Sequence, residues 1–384
     1  MEKITKIAII GASYLQEPLI QKAKARGYET HVFAWGCGDV GEKSADFFYP
    51  ISIVEKEKIA SICRDKKIDG VCSIASDLAA ITVNHVANEL GLIGNSAACM
   101  EVSTNKHRMR QCFEEHGDPS PRSVRVTNRD MSIPSALSYP VIVKPTDRSG
   151  SRGVTKLTNG DGLAEAIDRA IKESFEKCAL IEEYATGMEY SAESISWEGT
   201  HHFITLTQKY TTGAPHFVET AHLEPACIGE EDLARVRDTV THALDSLGIQ
   251  YGASHSELKI APDGTIKLIE IGGRMGGDNI GAMLVELSTG YDFVGAVLDV
   301  ALGIEPSYPL RQQRHAAIRY ICSETDLLIL EQVKRENPEI LVEEKVSAVI
   351  GREITESNDR FGYFVIASDC PEIVRKYMPA TDIL

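Results

Sequence analysis

Along the first ~100 residues, short apolar runs alternate with amphipathic stretches, the rhythm of strands joined by crossover helices. Lys6–Ile10 reads as a buried strand, 14–26 as a helix closed by Gly27, and 29–33 as a second strand. Residues 55–66 follow as a helix, 70–74 as a strand, 78–90 as a helix and 91–93 as a short strand. This pattern predicts a Rossmann-like parallel sheet over residues 1–103.

From Thr104 the character changes. A helix is predicted over 105–116, a strand at Val141–Pro145 that runs into a Ser/Gly-rich loop, a helix over 163–177 and a strand at Ala179–Glu183, so that 104–184 form a second unit. From about Tyr190 strands dominate, with turn signals at Glu198-Gly199 and Pro262-Asp263-Gly264. A helix after Gly277 and a last segment over 314–384 complete a larger lobe, residues 185–384.

The length of 384 residues exceeds one ordinary core and suits two or three subdomains. With 43% hydrophobic and 25% charged residues the chain reads as an ordered globular protein. The formal net charge of -16 argues against nucleic acid as a partner, because that binding rests on Lys and Arg neutralising phosphates. MEKITKIAIIGAS holds only a short apolar run without a cleavage pattern, so the expectation is a soluble, unprocessed cytoplasmic protein with no membrane contact. The 9 cysteines form no CxxC pair and read as reduced, mostly buried residues, none of them in a nucleophile motif.

Gly11 follows the first strand at the start of a helix, where phosphates often bind. GASYLQ supplies one glycine where a dinucleotide fingerprint needs three, so the segment reads as a structural turn or half of a substrate site.

More chemistry lies in VIVKPTDRSGSRGV, residues 141–154. A strand delivers Lys144, and Pro145 ends the regular run before Ser149, Gly150, Ser151 and Gly153. Small residues let backbone N–H groups close around phosphate oxygens, while the lysine adds a compact positive charge. The lysine precedes the glycines, so this is no Walker A loop, and taken alone such a segment is more often an ordinary surface turn with a snorkelling lysine.

SHSELKIAPDGTIKLIEIGGRMGG supplies the second feature. Strands over 255–260 and 266–271 flank Asp263-Gly264, whose two-residue type I′ turn would pair Pro262 with Thr265 and set Glu257 opposite Glu270. A three-residue loop with a bulge would make the two carboxylates diagonal neighbours instead. Like charges opposed across strands destabilise a sheet, and a bound cation explains them. The bland alternative is a solvated face with Lys259 nearby. Arg274, in a Gly-rich segment, stands ready for a carboxylate or a developing acyl phosphate. In CALIEEYATGMEYSAES, an apolar strand runs into Glu182, Glu183 and Tyr184, turns near Gly187 and resumes at Glu189, an arrangement that suits backbone groups meeting an adenine edge and a carboxylate meeting a ribose, and that is commonly just the solvated end of a strand.

Taken together and in this order, the segments resemble the ATP-grasp superfamily over nearly the whole chain. HFVETAHLEPA and EIGGRMGGDNIGAMLVELSTGYD look most similar to L-amino acid ligases and to carbamoyl-phosphate-synthase-like relatives. The resemblance implies an α/β ATP-grasp fold, with a Rossmann-like first domain and two α+β lobes clasping ATP. It implies that Lys106 and Lys144 contact the nucleotide phosphates under a lid at 149–153. Glu182, Glu183, Tyr184 and Ala185 would be the adenine hinge, and Glu189 the ribose partner. Glu257 and Glu270 would bind Mg²⁺ or Mn²⁺, and Lys144 and Arg274 would serve catalysis. Glu219 and His222, with Arg274, fall where amino-acid ligases recognise substrate, although His222 also reads as a hydrogen-bonded structural histidine. Tyr14, Ser76 and Asp77 are further cleft candidates or simple loop and cap residues.

One departure stands out. The family's Glu-x-Asn-x-Arg motif has Gly272 at its Asn position, so the expectation is a second metal bound either less fully or through Asp278 or Asn279. The implied activity is a carboxylate-amine ligase acting on small-molecule substrates through an acyl phosphate, with ATP converted to ADP and phosphate. The alternatives are phosphorylation of bicarbonate or carbamate, and a silent ATP-binding regulator. A homodimer is the default expectation for assembly.

Overall fold

The computed structural model describes residues 3–129, 133, 137–308, 314–348, 351 and 353–380. The first strands, β1 (Lys6–Ile10), β2 (Glu29–Ala34), β3 (Phe47–Pro50) and β4 (Gly70–Cys72), form a parallel sheet in the order β3-β2-β1-β4. Parallel strands need crossovers, which the helices Glu17–Ala25 and Lys56–Lys66 help to supply, while Asp77–Leu90 follows β4 and packs Ala79, Val86 and Ala87 on the sheet. The first of these starts three residues later than the sequence pattern suggests, because Ser13 and Gln16 close a turn ahead of it. The short strand expected at 91–93 does not form: Gly91, at φ 66°, ends the preceding helix, and Asn95 turns its side chain to Tyr251. The edge strand β3 takes its place, ending in a proline that only an edge tolerates.

A second, antiparallel sheet contains β5 (Ser123–Val126), β6 (Val141–Pro145), β7 (Thr155–Leu157) and β8 (Ala179–Glu183), in the order β5-β8-β6-β7. The helix Leu163–Glu173 packs Ala166, Ile167 and Ala170 against its inner face. That helix is four residues shorter than the expected 163–177, ending where Ser174 turns to extended backbone.

The third sheet is antiparallel with eight strands: β9 (Met188–Trp197), β10 (Thr200–Thr211), β11 (Glu219–Glu224), β12 (Gly252–Ile260), β13 (Ile266–Gly272), β14 (His315–Tyr320), β15 (Leu341–Val346) and β16 (Gly362–Ser368). They run in the order β13-β12-β9-β10-β11-β14-β16-β15. The helix Glu230–Ser246 lays Val236, Val240, Ala243 and Leu244 on this sheet, positions spaced to share one helical face. Each fully buried Val or Leu among them contributes about 1.5–3 kcal/mol. Lys106–His116 joins the same core through Met109, Cys112 and Phe113, which fixes Lys106 at the edge of the sheet. The apolar helix Phe293–Ala301 is almost wholly buried and packs with Ile7, Ile9 and Leu19 of the first sheet and Ile195 and Ala253 of the third. Among the described residues no single helix is long and apolar enough to cross a membrane.

Candidate nucleotide and metal site

The β12–β13 hairpin combines both registers open to its sequence. Ala261 N–H bonds Thr265 O and Gly264 N–H bonds Ala261 O, so the loop has three residues, and only Gly264, at φ 82°, takes positive φ. A type I′ turn is therefore excluded at Asp263-Gly264. The one-residue shift is then undone by a bulge: Leu258 pairs with Leu268, but Glu257 pairs with Glu270. Ile269 is the extra residue, and it lines the cleft beside Glu270, a re-aiming that bulges commonly provide next to active sites.

The cleft lies between the second and third sheets and has a cavity volume of about 190 Å³. Lys106, Lys144, Ser149, Gly150, Ser151, Glu182, Tyr184, Ala185, Glu189, Glu219, Glu257, Glu270 and Arg274 all line it. Residues drawn from positions 106 to 274 are thus brought together, as the sequence reading expects. Not every expected residue joins them. Glu183 turns outward to Arg122, whose Nε is 2.8 Å from its carboxylate, because alternate residues of β8 face opposite sides. Gly153 sits behind the lid against Glu173 and Pro145. His222 lies beneath the floor, wholly buried against Tyr320.

The two carboxylates are held apart by lysines. Lys106 Nζ is 2.6 Å from Glu270 Oε1, and it also donates to Arg148 O at 2.8 Å. Lys209 Nζ lies 2.5 Å from Glu257, 3.4 Å from Glu189 and 3.7 Å from Glu219. Burial alone would raise the Glu257 carboxyl, but Lys209 and His255 hold it well below the usual range. His255 bridges Glu193 and Glu257, and although burial opposes its charge, Glu193 raises it to about 9.

Lys144 pairs with Glu182, which also accepts from Arg110 Nε at 3.2 Å. Arg110 in turn donates to Ile269 O at 2.6 Å, tying β8 to the bulge. The Glu182 side chain is therefore committed to cations. Its backbone neighbour Ala185 has an N–H without a protein acceptor among the described residues, whereas Tyr184 N–H is taken by Pro140 O. Apolar walls come from Ile142, Val154, Phe217 and Ile269.

At the far end, Arg274 donates from Nε and Nη2 to the two oxygens of Asp77, at 2.8 and 3.0 Å. Ser76 caps the helix that Asp77 begins, accepting from Ala79 N–H. Tyr14 is half-exposed outside the cleft. His222 has no hydrogen-bond partner at either ring nitrogen among the described residues, and burial lowers it to about 3, so the bonded structural histidine is not what forms. Asp278, expected as a substitute metal ligand, is instead gripped by Arg360 at 2.8 and 2.9 Å, and neither it nor Asn279 lines the cleft.

Among the described residues no three His, Cys, Asp or Glu side chains converge to hold a metal unaided. Glu257 and Glu270 nevertheless suit Mg²⁺, a hard cation that usually takes one or two carboxylates and completes its shell with phosphate and water.

Sequence reasoning missed Lys209, His255, Lys259 and the apolar walls. His255 and Lys259 share the face of Glu257 by simple strand alternation, as Ile142 shares that of Lys144, and that periodicity was the available signal.

An ATP-grasp domain model matches residues 137–282. The chain is 29% identical over 265 residues to an uncharacterised protein of Sinorhizobium fredii, covering 67% of this chain and 54% of that one. It is 26% identical over 298 residues to alanine–anticapsin ligase of Bacillus subtilis, covering 68% and 62%. It thus spans less than two thirds of the length of these curated relatives. Among solved structures, L-amino acid ligase from Bacillus licheniformis superposes with a TM-score of 0.81 at 23% identity, over 98% of this chain and 96% of that one. Phosphoribosylglycinamide synthetase from Anaerococcus prevotii does so at 0.77 and 17%, over 97% and 96%. These likenesses concern the fold.

Proposed function

The chain belongs to the ATP-grasp superfamily, and from that premise we propose that it is an ATP-dependent carboxylate-amine ligase forming an amide through an acyl phosphate. The observation that carries this reading is the meeting of Glu257 and Glu270 in one cleft with Lys106, Lys144, Lys209 and Arg274. The resemblance to alanine–anticapsin ligase and L-amino acid ligase points to amino acids as the substrate class.

In this reading Ile142, Val154 and Ile269 sandwich the base, the Ala185 N–H meets its edge and Glu189 meets the ribose. Lys106 and Lys144 hold phosphate oxygens, and backbone N–H groups of Ser149, Gly150 and Ser151 close over them. Glu257 and Glu270 would hold Mg²⁺ or Mn²⁺, which supplies charge neutralisation along the phosphates when bound. The substrate carboxylate oxygen attacks the γ-phosphorus and ADP leaves. Lys209 and Arg274 stabilise the negative charge that gathers on the acyl phosphate. An amine then attacks the acyl carbon and expels phosphate, losing a proton as the amide forms. Glu219 faces the cleft as the carboxylate available to a substrate ammonium, with His222 behind it. The lid keeps water from the activated acyl group. No covalent enzyme nucleophile is needed.

The test is ADP and phosphate release from MgATP by the full chain, with pooled L-amino acids and small carboxylates, and hydroxylamine present to trap acyl phosphates. Substrate-dependent ADP with a hydroxamate supports the ligase. AMP release refutes the acyl-phosphate mechanism, and turnover with bicarbonate alone moves the activity to the other chemistry of the fold.

A further inference from the structure

The Gly-rich segment that follows β13 carries an arrangement that the cleft residues alone do not explain. Gly272 stands two residues after Glu270, and a Cβ built there would lie 2.9 Å from Asp77 Oδ1 and 3.2 Å from both Cζ and Nε of Arg274. The space beside Gly272 is therefore filled by the Asp77–Arg274 pair. Asp77 belongs to a different part of the chain: it opens the helix Asp77–Leu90, just past the C-terminal end of β4 in the parallel sheet. Its loop is docked on the same segment, since Ala75 N–H donates to Met275 O at 3.2 Å. Both partners are largely buried, with side chains 14% and 19% exposed. The two parallel N–H···O bonds have the fork geometry that fixes a guanidinium in orientation as well as place.

We propose that Asp77 is the positioning residue for Arg274, reaching from the parallel sheet into the space that a side chain at position 272 would fill. Asp77 occupies the Nε/Nη2 edge of the guanidinium. Nη1 makes only a 3.3 Å contact with Met275 O, so the Nη1 end is what Arg274 offers to the cleft. An arginine left without Asp77 regains several rotamers, and an acyl phosphate forming beside it would meet a donor that is seldom in place. A side chain at position 272 would press on the tip of Asp77 and on the Arg274 guanidinium, so it displaces one or the other from the paired geometry. The role assigned to Asp77 rests on the reading of Arg274 given above, whereas the exchange of space between Asp77 and position 272 does not.

Two measurements test the proposal on the full chain. Steady-state ADP release is followed against MgATP, with pooled L-amino acids as the acceptor mixture, for wild type, Asp77→Ala, Arg274→Lys and the double variant. Asp77→Ala is expected to lower kcat by about tenfold or more with the KM for MgATP changed less than about twofold, and to add almost nothing to Arg274→Lys. Losses that multiply in the double variant would overturn the positioning role, because Asp77 would then act without Arg274. Thermal melting of Gly272→Asn, Asp77→Gly and their combination reads the shared space without turnover. Gly272→Asn alone should lower Tm, and Asp77→Gly should restore most of that loss; strictly additive losses would overturn the exchange. A wild-type chain that releases no ADP with any acceptor would remove the ligase reading and with it the acyl phosphate's role, while the melting cycle still decides what Asp77 and Gly272 do to each other.

Discussion

Glu224, the last residue of β11, offers a test of the structure that is independent of turnover. It is fully buried, and its only partners among the described residues are the hydroxyls of Thr207 and Ser288, each 2.7 Å away. Burial raises its carboxyl from 4.5 to about 8, with Glu193 adding to the rise and the two hydroxyls opposing it. The folded chain thus keeps this proton over a range where the unfolded chain has released it. The sign follows: the unfolded state gains stability as pH climbs from 4.5 to about 8, and the fold loses it. At about 1.4 kcal/mol per unit of pKa, the loss sums to on the order of 5 kcal/mol by pH 8. Glu224→Gln keeps the shape and the neutral form, and the hydroxyls can reorient to accept as well as donate. The variant should therefore match wild type near pH 4.5 and become more stable by about 1.4 kcal/mol per pH unit up to pH 8, with no further gain above it. Urea unfolding read by Trp197, at the end of β9, in a Trp35→Phe background isolates the large sheet, since the chain has 2 tryptophans and Trp35 is exposed on the first. A difference between the two proteins that does not change with pH would refute the reasoning, because Glu224 would then be ionised in the native state.

Other outcomes follow from the cleft and its frame. Glu270→Gln should abolish metal-dependent turnover while Tm moves by only a few degrees; undiminished activity would remove the metal site from β13. Lys144→Met should weaken MgATP binding about tenfold or more in calorimetry, with Arg110 still partnering Glu182, and unchanged affinity would contradict a phosphate role. Gly187→Ala should cost more than about 2 kcal/mol in urea unfolding, since its φ is 104° and a Cβ would fall 2.1 Å from Ile260 O. A change near zero would show that the β8–β9 turn relaxes freely.

The sequence carried local patterns faithfully and distant pairings hardly at all. Glu257 and Glu270 were legible as cross-strand neighbours because a hairpin follows from a turn a few residues away, although the three-residue loop alone would set them diagonally. The bulge at Ile269 was not, since nothing in KLIEI marks which residue goes unpaired. β3 escaped because FFYP is short and ends in proline, while 91–93 looked strand-like in composition without a neighbour to pair with. Lys209 gave no local cue. Its meaning depends on Glu189, Glu219 and Glu257, which come together only when β9, β10, β11 and β12 lie side by side. Asp77 is 197 positions from Arg274, and only tertiary docking makes them partners. For the same reason Asp278 looked free to bind metal until Arg360 arrived from the far end of the chain.

The lysine-held carboxylates of the cleft have a thermodynamic corollary. Lys106 and Lys209 neutralise Glu270 and Glu257 in the structure. On the proposed reading, a nucleotide entering alone would draw Lys106 from Glu270 and leave that acid facing its phosphates, and a cation alone would displace the Lys106 ammonium from its carboxylate, whereas Lys209 would keep Glu189 and Glu219. Arriving together, the cation takes the glutamates and the phosphates take the lysines, so every charge changes partner and none is stranded. Nucleotide and cation then strengthen each other's binding by the same factor, as linkage requires. The cleft's ion pairs thus favour the two ligands together over either one alone.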